Sequence, residues 1–174
     1  MNIEIRFAVP ADAPDMAEVG MRSWEAAYRD ILPVDYIREK NATRPEQFKQ
    51  SITDENDNSY VIIKDGKTVG IMKIAPSSDE DLNDDFYELH YIYLHPDYFR
   101  LGIGTRAMEF AFDKARENGK KFIVLWVFTE NVNSVKFYEK CGFKADGKTK
   151  TQSRGREIEI MRMKAEKYCR TEIN

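Results

Sequence analysis

The order of apolar patterns predicts a mixed α/β domain with helices laid on a largely antiparallel sheet. Three observations carry this. Short alternating or β-rich runs recur at both ends of the chain, and one pair is joined by Asp65-Gly66, the dipeptide that supplies the positive φ values of a tight hairpin. Segments with apolar residues at i, i+3 and i+4 stand between the runs. Residues 86–128 read as strand, helix, strand, which is one βαβ unit and requires a parallel neighbour pair within the sheet.

Ile3, Ile5 and Phe7 alternate with Glu4 and Arg6, a half-buried first strand ended by Pro10. Asp12, with Pro14 behind it, opens a helix whose face carries Met16, Val19, Ser23, Trp24, Ala27 and Tyr28. That helix ends near Asp30 to Pro33, and VDYI with PEQFKQSI predicts one or two further short helical turns. Tyr60 to Ile63 and Val69 to Ile74 form the hairpin, and the polar, acidic stretch from Pro76 to Asp85 reads as a solvated loop.

The central stretch, FYELHYIYLHPDYFRLGIGTRAMEFAFDKAREN from Phe86 to Asn118, is an alternating strand, a His95-Pro96 turn, a glycine loop and a helix. A loop opening onto a helix N-terminus favours an anion, because the first helical N–H groups lack internal partners and the macrodipole is positive there. A phosphate is therefore expected at Leu101 to Thr105. After Asn118-Gly119 the run Lys121 to Phe128 is continuously apolar, as in a strand buried on both faces. Asn131 or Asn133 caps the next helix, which carries Val135 and Tyr138 and ends at Gly142, with Phe143 placed for the hydrophobic contact of a Schellman-type end. Glu157 to Met163 is a last strand, with Ile158, Ile160 and Arg162 on one face and no inward face assigned.

Composition narrows the class of function. A chain of 174 residues with 42% hydrophobic and 33% charged residues is expected to form a single globular domain over 1–174. No apolar run approaches the roughly 20 residues of a membrane span, and the start lacks a signal-peptide pattern, so the expected compartment is the cytoplasm, with no membrane partner. A net charge of −3 without a basic stripe argues against nucleic acid. Cys141 and Cys169 lie in no CxxC or Cys/His cluster, so neither a disulfide framework nor a metal site is expected. The loop lacks the third glycine of a dinucleotide fingerprint and the Gly-Lys-Ser/Thr of a P-loop.

HPDYFRLGIGTRAM resembles the acyl-CoA pyrophosphate loop of the GNAT superfamily of N-acyltransferases, whose pattern is Gln/Arg-x-x-Gly-x-Gly/Ala after a strand and a His/Asp-Pro turn. ENVNSVKFYEKCGF resembles that family's second motif, and the separation and order of the two match. The resemblance spans about residues 86 to 143. It implies a GNAT-like fold, a mostly antiparallel central sheet flanked by helices with a splayed parallel strand pair, and acetyl-CoA as co-substrate with no metal. Phe99 departs from the pattern, standing where the family has Gln or Arg; Arg100 either supplies the missing cation or is simply solvated. Backbone amides do most of the phosphate binding in such a loop, so Phe99 bears on affinity more than on cofactor choice.

The resemblance also assigns roles. Arg100, Leu101, Gly102, Ile103, Gly104 and Thr105 would hold the pyrophosphate. The backbone of Ile92, Tyr93 and Leu94 would bind the pantetheine arm as an added strand, and an N–H of Ile92 or Tyr93 would face the oxyanion. Asn131 matches the family's cofactor-binding Asn, beside its role as a cap. Tyr138 matches the Tyr that protonates the leaving thiolate; the alternative is a core Tyr on an amphipathic helix. Glu88 is the candidate general base, on the same alternating face as His90 and Ile92; His90 and a water chain are the alternatives. His95 belongs to the turn.

Trp24 and Tyr28 lie in the region that resembles the family's acceptor side and could hold an amine by cation–π contact, although rings at this spacing are more often core. The acidic residues Asp79, Glu80, Asp81, Asp84 and Asp85 either attract a polycation or form a solvated face. Cys141 is expected to be a small buried residue. The expected activity is acetyl transfer from acetyl-CoA to a primary amine of a small molecule or protein, by direct attack in a ternary complex and in a monomer or homodimer. A non-catalytic acyl-CoA-binding regulatory module is the alternative.

Overall fold

The hairpin made by Asp65 and Gly66, at φ 50° and 79°, joins β2 (Ser59–Lys64) to β3 (Lys67–Pro76). Two consecutive positive φ values match the right-handed twist of the strands they connect. β1 (Ile3–Phe7) pairs antiparallel with β2 on the other side. In this computed structural model, which describes residues 2–53 and 57–166, β4 (Phe86–Leu94), β5 (Phe122–Phe128), β6 (Lys144–Ser153) and β7 (Glu157–Ala165) complete a seven-stranded sheet of order β1-β2-β3-β4-β5-β7-β6. β4 and β5 are parallel, and the other described pairings are antiparallel. Cys169 lies outside the described residues.

The residues divide into two compact units, Met1–Lys73 with Tyr91–Ala107 and Ile74–His90 with Met108–Asn174. In the first, α1 (Ala13–Tyr28) places Ala13, Met16, Ala17 and Val19 against Phe48, Val61 and Ile71. The aspartate before α1 leaves that helix's own N–H groups alone: Asp12 accepts from the Val9 N–H at 2.8 Å and from the Arg6 guanidinium at 2.7 and 2.9 Å. It thereby closes the Pro10–Asp12 turn that precedes the helix.

α2 is one helix of 19 residues, Val34–Ile52, where the sequence predicts only short turns. Two features hide it. Pro45 stands inside the helix, and the buried face, Ile37, Asn41, Arg44 and Phe48, has helical spacing but is half polar. A search for apolar periodicity therefore passes over it.

In the second unit, Met108, Ala111, Phe112 and Ala115 of α3 (Ile103–Glu117) are buried, as are Ile123, Val124 and Leu125 of β5, which face both sides of the sheet in turn. α4 (Val132–Lys140) ends at Gly142, φ 92°, and Phe143 follows, fully buried against Phe112 at 5.8 Å between centroids. β7 (Glu157–Ala165) turns Ile158, Ile160 and Arg162 inward. β6 (Lys144–Ser153) is a strand that apolar patterning misses, because it lies at the sheet edge and nearly every residue is exposed. Its Lys and Thr residues suit an edge that must not pair with another chain.

The parallel β4–β5 ladder consists of Phe86↔Phe122, Tyr87↔Ile123 and Glu88↔Val124, the opening three residues of each strand. The mixed class and the parallel pair are as expected from the strand–helix–strand order.

Candidate active site

In the first unit β4 runs out through Ile92, Tyr93 and Leu94, all half-buried, into His95. The His95 N–H donates to Val69 O at 2.8 Å, and its Nδ1 accepts from Asp97 N at 3.3 Å, so His95 caps the Pro96–Tyr98 turn. Gly70 lets the neighbouring strand pass closely: a Cβ there would meet Leu94 Cδ2 at 2.5 Å and Tyr93 O at 3.1 Å. Tyr91 and Tyr93 stack at 5.1 Å, and Tyr91 Oη is 2.9 Å from Ser59 Oγ.

The glycine loop follows. Arg100 is at φ 60° and Gly102 at φ 76°, so the chain reverses through the left-handed region before α3 begins. The first helical hydrogen bond runs from Arg106 N to Gly102 O at 3.1 Å. The N–H groups of Ile103, Gly104 and Thr105 precede it and have no acceptor within the helix by construction. The first turn contains no acidic residue, Thr105 is exposed, and Ile103, 1% exposed, anchors the helix start. Phe99 and Leu101 are both exposed. A helix start of this geometry favours a negative charge.

Trp24 and Tyr28 pack edge to face at 5.1 Å. One face of the Trp24 ring is covered by the Arg44 guanidinium at 4.2 Å, a residue that helical apolar spacing did not select. Arg44 Nε donates to Asn41 Oδ1 at 2.9 Å, and Asn41 Nδ2 is 3.4 Å from Glu25 Oε1. A cation is thus already seated where the aromatic pair was expected to receive one.

In the second unit Glu88 is buried, and its carboxylate has two neighbours. Ser77 Oγ donates to Oε2 at 3.1 Å, and His90 Nδ1 lies 3.5 Å from Oε1. The i, i+2 spacing on β4 puts Glu88 and His90 on one face, with Glu88 inside and His90 open to solvent. Ser77 lay in the stretch read as a solvated loop, and sequence offered no signal for it.

Asn131 caps α4, its Oδ1 accepting from Ser134 N at 3.2 Å, and it is 7% exposed. Tyr138 is half-buried, its ring edge-on to Phe143 at 5.9 Å, and its carbonyl accepts from Cys141 N and Phe143 N, both at 3.0 Å. The terminal turn thus fixes the Tyr138 backbone, and Phe137 and Phe143 pack on its ring. Cys141 is buried, and burial pushes its thiol up to about 11, so it stays a neutral thiol.

The acidic loop is not simply a solvated face. Asp79 and Asp81 accept from the Arg162 guanidinium at 3.0, 2.8 and 2.9 Å, Asp146 accepts from Arg162 Nε at 2.7 Å, and Trp126 Nε1 donates to Asp79 at 3.0 Å. These ion pairs hold Asp81 far below the usual carboxylate range and raise the Arg162 guanidinium. Among the described residues no cluster of His, Cys, Asp and Glu could hold a metal, and no helix is long and apolar enough to cross a membrane.

A sequence model of the Acetyltransferase (GNAT) family matches residues 23–143. The chain is 29% identical over 140 residues to the uncharacterized N-acetyltransferase MJ1207 of Methanocaldococcus jannaschii, covering 80% of this chain and 59% of that protein, so it spans well under two thirds of that relative. It is 31% identical over 135 residues to an uncharacterized N-acetyltransferase encoded in the pepI 3′ region of Lactobacillus delbrueckii subsp. lactis, covering 75% and 78%. Among solved structures, the PaiA N-acetyltransferase of Thermoplasma acidophilum in complex with coenzyme A shares the fold, with TM-score 0.76, 23% identity and coverage of 96% and 100%. The match over residues 23–143 takes in the β4 strand, the glycine loop, the Asn131 cap and the Tyr138 helix together, and the chain belongs to the GNAT family of acetyltransferases.

Proposed function

We propose that this protein transfers the acetyl group of acetyl-CoA to a primary amine of a small molecule or protein by direct attack in a ternary complex. The observation that carries the reading is β4 itself. One continuous strand bears the buried Glu88 near its start and leads straight into the anion-accepting loop. The coenzyme A bound to the Thermoplasma relative supports the same cofactor.

In this reading the N–H groups of Leu101 to Thr105, with Arg100, hold the pyrophosphate. The backbone of Ile92, Tyr93 and Leu94 hydrogen-bonds the pantetheine arm as a further strand would. Asn131 adds a cofactor contact from its amide while it caps α4.

An alkylammonium with a pKa of roughly 10.4 must lose a proton before it attacks. Glu88 is the base, and His90, in contact with it and open to solvent, passes the proton outward. The nitrogen attacks the thioester carbonyl, the C–N bond forms, and the oxyanion rests on the N–H of Ile92 or Tyr93. The C–S bond then breaks, Tyr138 gives its phenolic proton to the thiolate, the acylated nitrogen sheds its remaining extra proton, which restores the phenol by way of solvent, and amide and CoA thiol leave. A buried neutral Cys141 supports direct transfer over an acyl-cysteine route.

The test is thiol release from acetyl-CoA across an amine panel, with Tyr138→Phe and Glu88→Gln. Each variant should lower kcat by about 10²-fold or more, with little change in CoA affinity. Tight CoA binding with no thiol release for any amine would assign the chain instead to the non-catalytic binding modules.

A further inference from the structure

Arg44 is 7% exposed, yet among the described residues no carboxylate comes within 4.0 Å of it. Its one hydrogen bond among them is Nε to Asn41 Oδ1, which leaves both Nη groups without a protein acceptor and reached only by solvent. A buried guanidinium normally has a carboxylate partner, since removing the charge from water costs several kcal/mol. Beside it, Trp24 Nε1 is buried with no hydrogen-bond partner among the described residues, a second unpaired donor in the same cluster. The two groups are in contact, with the guanidinium 4.2 Å from the Trp24 ring.

The fold makes room for this arrangement. Gly20 of α1 faces Arg44, where a Cβ would lie 3.3 Å from Arg44 Cδ and 3.6 Å from Nη1. Asn41 fixes the roll of the guanidinium by taking Nε, and Asn41 is itself tied to Glu25. The Arg44 guanidinium is also 5.9 Å from the ring of Tyr93, whose backbone belongs to the segment assigned to the pantetheine arm.

We propose that Arg44 and Trp24 form the seat for a carboxylate on the acceptor, so that the substrate class is a small amino acid whose amine is acetylated; this rests on the acetyl-transfer reading above. A planar guanidinium edge matches the two oxygens of a carboxylate. Among the described residues the cation over the rings of Trp24 and Tyr93 is Arg44, and one guanidinium balances a monoanion and leaves a phosphate dianion half-compensated. The indole N–H adds a third donor to the same anion. Because Trp24 Nε1 is closed off from solvent, the Trp24 ring turns as the ligand enters.

The experiment uses the wild-type chain. The Trp24 indole N–H resonance, assigned with Trp24→Phe, is titrated with α-amino acids, β-alanine and 4-aminobutyrate, each against its carboxamide. The same pairs are then run in the thiol-release assay. At least one acid should shift the resonance saturably and bind about tenfold or more tightly than its amide. Arg44→Met should raise KM for that acid by about tenfold or more and leave KM for acetyl-CoA unchanged, and Arg44→Lys should recover part of the loss. Acids and amides indistinguishable in both measurements, or an unaltered KM in Arg44→Met, would overturn the seat. A resonance that titrates with acids while no amine releases thiol would uphold the seat and defeat the transfer reading. Thiol release with equal preference for acids and amides would do the reverse.

Discussion

Arg162 shows how much one residue can decide. Its side chain is 5% exposed and it faces three carboxylates, two of them from a loop that composition alone marks as solvent-exposed. Arg162→Met would leave Asp79 and Asp146 as nearly buried charges without a counter-ion, and should destabilise the protein by about 3–5 kcal/mol. Denaturant unfolding checks this, and Asp81→Asn should cost much less because that carboxylate is 43% exposed. The alternation of β7 puts Arg162 on the face of Ile158 and Ile160, but sequence could not say which face was inward. The information was in partners distant along the chain. Arg44 was hidden for the same reason: a charged residue on a buried helix face reads as solvent-facing until the helix is placed. The Asn131 cap and the glycine turn before α3 were legible because each is a local pattern whose residue types follow from backbone chemistry.

Elements diverge from expectation where local rules are broken for packing. Pro45 has no N–H to donate to the carbonyl of Asn41, and its ring crowds that turn. α2 persists through the packing of Ile37 and Phe48, both buried. Pro45→Ala should therefore raise stability by about 2 kcal/mol, the helix gain of roughly 3 being offset by a more flexible unfolded chain. A higher midpoint in thermal unfolding would confirm it, and a lower one would mean that the proline sets a bend the packing requires. Gly70 makes the opposite case. An added methyl would press on Leu94 Cδ2, Ile62 Cδ1 and the Tyr93 carbonyl, so Gly70→Ala should cost about 1–3 kcal/mol. It should also raise KM for acetyl-CoA, because the Tyr93 backbone is the proposed partner of the pantetheine arm. β6 was illegible for a different reason: an exposed edge strand needs no apolar alternation, and Gly147, at φ 91°, interrupts what pattern there is.

For the molecule as a whole, class and parallel pair followed from the order of elements, because a strand–helix–strand run has few foldings. Its resistance to acid depends on contacts that order does not reveal. Asp12 is held below the usual carboxylate range chiefly by its hydrogen bonds to Arg6, and Asp81 by those to Arg162. A carboxylate depressed in the folded state contributes its full stabilisation above the unfolded pKa of about 3.9, and loses it as pH falls toward the folded value. Stability should thus change little from these groups above about pH 5 and decline below about pH 4. The two ion pairs share no residue, so Asp12→Asn and Asp81→Asn should each flatten the acid limb, and the double variant should flatten it by about the sum. Added salt should weaken the Asp81 contribution more than that of Asp12, whose side chain is 10% exposed against 43%. Unfolding free energies measured from pH 2 to 8 in the four proteins test the argument, and an acid limb of unchanged slope in the double variant would place the acid sensitivity elsewhere in the chain.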